Sequence, residues 1–267
     1  MSAPAAGSGL LPRVITAVLG IPFLLWLLWV GGTPLFFIVE VAAALMLWEF
    51  HRLVTAGGRG PHLVLLLLAG LGVATAIGRE EPGLATGALF AALALEAVRG
   101  LFQSQDGTLL RRAGALVMGA LYIGYPVGVL LRLRAVSFWW LGGAFVLTWT
   151  NDILAYLVGV SAGRRRLAPQ ISPKKSVEGA VGGLAGTVLA ATLIRGWFGF
   201  DLAGAALTGA VCSAAGVLGD LIESALKREA GVKDSGRLLP GHGGLLDRFD
   251  SAFLILPVLY LLRGIVR

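Results

Sequence analysis

Charge is scarce in this chain of 267 residues: lysine, arginine, aspartate and glutamate make up 14%, where soluble domains carry about a quarter. That scarcity excludes a disordered segment, which needs high charge and little apolar content. It also excludes an ordinary water-soluble domain, whose surface could not be covered by so few polar groups. Cysteine is nearly absent. The single Cys212 lies in an apolar run, so no internal disulfide and no cysteine-based metal site can form. What fills the chain instead is apolar: 57% of residues are hydrophobic and 39 are glycine, with a mean hydropathy of +0.83. The apolar residues come in continuous runs and do not alternate, which argues against a transmembrane β-barrel. The expected fold class is all-α, a polytopic helical membrane protein.

Charges and Gly/Pro punctuation bound nine apolar runs, at 14–30, 34–50, 63–77, 83–98, 113–131, 136–160, 177–194, 202–219 and 251–266. About nine transmembrane helices are therefore expected, several of them shorter than the ~20 residues of a full crossing. The pI of about 10.2 and the net charge of +7 could suggest nucleic acid, but their distribution points elsewhere. With loops assigned alternately to two sides, the N-terminal side collects 16 of the 22 lysines and arginines. The positive-inside bias then makes the N-terminus cytoplasmic, in an inner or plasma membrane, with the bilayer as partner and no nucleic acid. Residues 1–12 read as a flexible tail, 13–135 as scaffold helices, and 136–267 as the region carrying chemistry. No small-x-small site follows the first run, so it is expected to stay attached.

Only two loops are long, 161–176 and 220–250, and both fall on the basic side. Asn151 and Asp152 lie near the end of one span there and Asp220 closes another. Charged groups inside a bilayer are costly and are retained mainly where they face a wet cavity or a partner. Asp220, Glu223, Ser224 and Lys227 follow at i, i+3, i+4 and i+7, one face of a helix leaving the membrane. Pro240 to Gly244 breaks the chain, and Asp247 and Asp250 open the last span. Hard carboxylate oxygens beside a glycine turn and several cations suit Mg²⁺ with bound phosphates. The same residues could also serve only as caps and ion pairs of a solvated loop. Glu40 and Glu96 read as hydrogen-bonded between helices. The glycines at 179, 182, 183 and 186, and at 124 and 128 around Pro126, read as close helix packing with a kink.

The run Ser224-x-Leu226-Lys227-Arg228-x4-Lys233-Asp234-x-Gly236-x2-Leu239-Pro240-x-His242-Gly243-Gly244-Leu245-x-Asp247-Arg248-Phe249-Asp250 resembles the signature of the phosphatidate cytidylyltransferases, or CDP-diacylglycerol synthases. Asn151-Asp152-x2-Ala155-Tyr156-x2-Gly159 and Leu167-Ala168-Pro169-x-Ile171-Ser172-Pro173-Lys174-Lys175-Ser176-x-Glu178-Gly179 are also similar to that family. Ser161-Ala162-Gly163 departs from it, lacking an aromatic residue before the glycine.

The resemblance implies an integral membrane nucleotidyltransferase that joins CTP to phosphatidic acid, releasing pyrophosphate and CDP-diacylglycerol for phospholipid synthesis. It implies Mg²⁺ on Asp220 and Asp247, with Asp250 or Glu223 completing the shell or holding a second cation. Lys175, Lys227 and Arg228 are then catalytic cations beside Asp220 and Asp247. Asn151, Asp152, Lys174, Ser176, Glu178, Glu223, Ser224, Lys233, His242, Gly243, Gly244 and Arg248 would bind substrate. The resemblance and the glycine faces together suggest a homodimer. Two other readings compete: a CTP-dependent polyprenol or lipid kinase, and an ion-coupled transporter. A transporter would place its site near the midplane between repeated halves; here polarity gathers at one face and no repeat is visible.

Overall fold

The structure, a computed structural model, describes residues 22–23, 25–56, 58, 60–102, 108–236, 238 and 243–266. Helix dominates. The helices are α1 (Gly32–Thr55), α2 (Leu63–Gly78), α3 (Pro82–Phe102), α4 (Leu109–Gly119), α5 (Tyr125–Val136), α6 (Phe138–Ala162), α7 (Val177–Leu193), α8 (Arg195–Phe198), α9 (Leu202–Glu229) and α10 (Ala252–Leu262). Among the described residues, five helical stretches are long and apolar enough to cross a membrane: α1, α3, the continuous Leu109–Val136, α6 and α9. Three apolar helices, α2, α7 and α10, are shorter. Each apolar run from 34 onward thus coincides with helix, while most of the run at 14–30 lies outside the described residues.

Local sequence sets several helix boundaries. The Ser137 hydroxyl accepts from the Trp140 amide at 3.1 Å to start α6, and the Ser176 hydroxyl from the Gly179 amide at 3.1 Å to start α7. Asp201 does the same for α9, accepting from the Gly204 amide at 2.6 Å. Between α4 and α5 the chain widens into a π-turn, Ala120–Gly124. Pro126 explains it, since proline has no N–H for the carbonyl four residues back.

In lipid, helices associate by close packing more than by hydrophobic expulsion, and small residues let backbones approach. A β-carbon on Gly179 would sit 2.6 Å from the Ala155 carbonyl of α6, and one on Gly124 would collide with the Gly70 carbonyl of α2. The glycine faces therefore serve α6–α7 and α2–α5 packing within the chain, as close helix packing requires. Glu40 accepts from the Thr75 hydroxyl at 3.0 Å, and Glu96 from the His62 amide at 3.1 Å, both joining helices as expected.

One element departs from an all-α expectation. Within 161–176, β1 (Arg166–Ala168) pairs antiparallel with β2 (Ser172–Ser176), Arg166 opposite Ser176 and Ala168 opposite Ser172. Pro169 sits second in the turn that the Ile171 amide closes on the Ala168 carbonyl at 3.2 Å. The hairpin leads directly into α7, so its lysines are anchored to a membrane-length helix bundle.

Candidate active site

Helix α9 continues well past Gly219, and its polar face organises the site. The Ser224 hydroxyl donates to Asp220 at 3.1 Å, and Lys227 pairs with Glu223 and with Asp247, the latter at 2.8 Å. Asp220 and Lys227 are two helical turns apart, about 10 Å along the axis. The returning chain runs antiparallel to this face. Asp250 therefore lies beside Gly219 and Asp220, where a β-carbon on Gly219 would collide with the Asp250 carbonyl. Asp247 lies farther out, against Lys227.

A cavity of about 290 Å³ opens between α6, the hairpin and α9. Its polar lining includes Asn151, Asp152, Lys174, Lys175, Ser176 and Asp220, and its apolar lining includes Tyr156, Val160 and Leu167. Lys175 reaches Asp220 at 2.5 Å, bridging hairpin and helix. Asn151 is buried and joins α6 to α9, accepting from the Ser213 hydroxyl at 2.6 Å and donating to Asp152 at 3.3 Å. Asp152 also accepts from the Ser251 hydroxyl at 3.0 Å, which ties α6 to the start of α10.

The two acids of the returning chain differ sharply. Burial pushes the Asp250 carboxyl up to about 7, and the neighbouring carboxylates of Asp220 and Asp152 add to the rise. Burial also acts upward on Asp247, but bonds from Glu223, Lys227 and the Gly244 amide outweigh it and hold this carboxyl at about 2. Asp247 is in fact enclosed by donors: Lys227 at 2.8 Å, the Gly244 amide at 2.8 Å, and the Ser235 amide and hydroxyl each at 3.0 Å.

These features bear on a divalent ion. Asp220 and Asp250 are two carboxylates whose mutual repulsion a cation would relieve, and Mg²⁺ commonly takes one or two carboxylates with water and phosphate oxygens. Among the described residues no three His, Cys, Asp or Glu side chains form a closed metal cage. The donor set fits an ion shared with substrate. Asp247 already has an ammonium as its cationic neighbour.

The chain matches the cytidylyltransferase family over residues 11–266. The chain belongs to that family. It is 35% identical over 266 residues to a phosphatidate cytidylyltransferase of Bacillus subtilis, covering 95% of this chain and 97% of that protein. It is 31% identical over 257 residues to one of Staphylococcus haemolyticus, covering 94% and 97%. With one of Staphylococcus aureus it shares 40% identity over 152 residues, 56% of this chain and 58% of that protein.

For a cytidylyltransferase-family chain, six of the residues singled out in the sequence line one cavity, and Lys227, Glu223 and Asp247 form an adjoining cluster. Others lie differently. Glu178 does not line the cavity; its carboxylate accepts from the Arg164 and Arg165 amides at 3.0 and 3.1 Å and closes the base of the hairpin. The Gly244 amide, expected to face phosphate, donates to Asp247. Gly243 takes a left-handed conformation, φ +84°, open to glycine without strain. Arg228 donates from Nε to the Ile171 carbonyl at 3.2 Å, holding the hairpin tip. Lys233 and Arg248 are exposed, and His242 lies outside the described residues.

Sequence reasoning missed Glu49. This fully buried carboxylate at the end of α1 accepts from the amides of Leu245 at 3.1 Å and Leu246 at 2.8 Å. The sequence shows only a lone acid in an apolar run near His51 and Arg52, with no motif to mark it.

Proposed function

We propose that this protein is a membrane CTP:phosphatidate cytidylyltransferase, making CDP-diacylglycerol and pyrophosphate. The observation that carries this reading is the cavity where the α6 carboxylate, the hairpin lysines and Asp220 meet, in a chain of this family. It supports a site whose polar wall takes phosphates while Tyr156, Val160 and Leu167 accommodate apolar parts of a lipid.

The reaction needs positioning more than acid–base chemistry. A phosphatidate oxygen, already anionic near neutral pH, attacks the α-phosphorus of CTP; the bond to the bridging oxygen breaks and pyrophosphate leaves. The obstacle is repulsion between two polyanions, so cations and alignment supply most of the rate. Lys174 and Lys175 are placed to receive phosphate oxygens at the cavity wall. Lys227 holds Asp247 and Glu223 in a fixed cluster beside it, and Arg228 fixes the hairpin. Asp220 and Asp250 would hold Mg²⁺, with Asp247 able to join only if Lys227 moves aside. When bound, the ion neutralises charge on the triphosphate and the leaving pyrophosphate.

The site and N-terminus face the cytoplasm in this reading. The ends of α1, α4 and α9 gather at one face, where Leu53, Arg111, Leu226 and Glu229 line a second cavity of about 230 Å³, next to the hairpin end. The basic residues Arg52, Arg111, Lys174, Lys175 and Lys227 thus share one end of the bundle, as the positive-inside bias requires.

Purified protein with phosphatidate and Mg²⁺ should transfer label from CTP labelled at the α-phosphorus into lipid and release γ-label as pyrophosphate. Gamma-label appearing in lipid, with CDP released, would make it a kinase. Substrate accumulating in proteoliposomes without CTP turnover would make it a transporter.

A further inference from the structure

Helix α1 comes from the half of the chain that carries none of the cavity, yet its penultimate turn inserts Glu49 against the returning loop. The carboxylate is fully buried and receives two consecutive backbone amides, those of Leu245 and Leu246. Two successive amides aimed at one carboxylate fix the direction of the chain just before Asp247. The Ser235 hydroxyl lies between the two carboxylates, 3.0 Å from Asp247 and 3.4 Å from Glu49, and its single proton can be donated to either. Asp247 in turn meets Lys227. The glycines of the loop are shaped around the same group, since a β-carbon on Gly236 would collide with the Glu49 carboxylate and one on Gly244 would lie 2.7 Å from it.

We propose that Glu49 is a positioning residue for cytidylyl transfer, acting through the Leu245–Leu246 amides and Ser235 to set where Asp247 presents Lys227 to the site. The inference rests on the transferase reading above. Glutamine is the informative replacement: it has the same size, but its NH₂ must face one of the two amides, leaving two donors opposed.

Kinetics of the full-length protein in detergent test this with Glu49→Gln, Ser235→Ala and the double variant. Glu49→Gln, folded and monodisperse, should lose at least about 30-fold in kcat with KM for CTP and phosphatidate changed less than about threefold, the pattern of an interaction realised in the transition state. Ser235→Ala should lose about tenfold. The double variant should fall no more than about twofold below Glu49→Gln, because both act along one path. Glu49→Gln with kcat within threefold of the parent overturns the proposal, as does a double variant in which the two losses multiply. If Glu49→Gln does not fold, Ser235→Ala decides: a tenfold loss in kcat at unchanged KM supports the path, and unchanged kcat overturns it. A parent protein that fails to turn over CTP with phosphatidate would instead sink the transferase reading itself.

Discussion

Asp247 and Asp250 stand three residues apart and ionise in opposite senses. Asp247, held at about 2 by its donors, stays charged at any working pH. Asp250, pushed up to about 7, binds a proton in the folded protein that the unfolded chain releases near 4. The folded state therefore holds the extra proton between those values, and the Asp250 contribution to stability falls as pH rises from about 4 through 7. In metal-free buffer, Asp250→Asn should raise Tm at pH 8 by about 3 °C and leave it unchanged at pH 4, a difference read by thermal unfolding in detergent. An equal shift at both pH values would show that the carboxyl is not perturbed. Glu49 belongs to the same scale. Nothing in its neighbours His51 and Arg52 distinguishes it from a charge at the membrane surface, because its partners lie almost 200 residues away and are mostly backbone amides, which leave no trace in residue type.

Among the elements, the hairpin shows what periodicity can and cannot reveal. Apolar runs read directly as α1 to α7, α9 and α10, since a lipid-facing helix must be continuously apolar. The strands Arg166–Ala168 and Ser172–Ser176 carry no alternating pattern. They exist because Pro169 turns the chain, and because Glu178 and Arg228 tie down the base and tip. Lys174, assigned to substrate, and Lys175, assigned as a catalytic cation, were legible by type, while the strand that carries them was not. Glu178→Ala should free the Arg164 and Arg165 amides and loosen Lys175 against Asp220. The expected result is a KM for CTP raised about tenfold with a smaller fall in kcat, the loss of a positioning contact. Arg165→Ala, which removes only an exposed side chain, should change both constants less than about twofold. Steady-state kinetics with CTP varied at saturating phosphatidate distinguishes the two variants.

Across the whole molecule, the polar cavity lies at one end of an apolar helical bundle. Glycine-mediated packing of α6 on α7 and of α2 on α5 builds a rigid frame. Asn151, Ser213, Asp152 and Ser251 cross-link α6, α9 and α10 directly beneath the cavity. Convergence of Asp152, Lys175 and Asp220 on one space was foreseeable, because alternate assignment of the loops puts these acids and the longest basic loops on one side. Pairing of Asp250 with Asp220, and of Asp247 with Lys227, was not: spacing along α9 allows either acid to face either group, and only the antiparallel return of the chain decides.

The central claim is that Asp220, at the cavity wall between Lys175 and Asp250, is indispensable to joining CTP with phosphatidate. Its most direct test is turnover of Asp220→Ala, purified and shown to be as monodisperse as the parent. The account predicts a fall of at least about a thousandfold in CDP-diacylglycerol and pyrophosphate formation, the scale expected when charge stabilisation of the transition state is removed. Turnover within tenfold of the parent would contradict it.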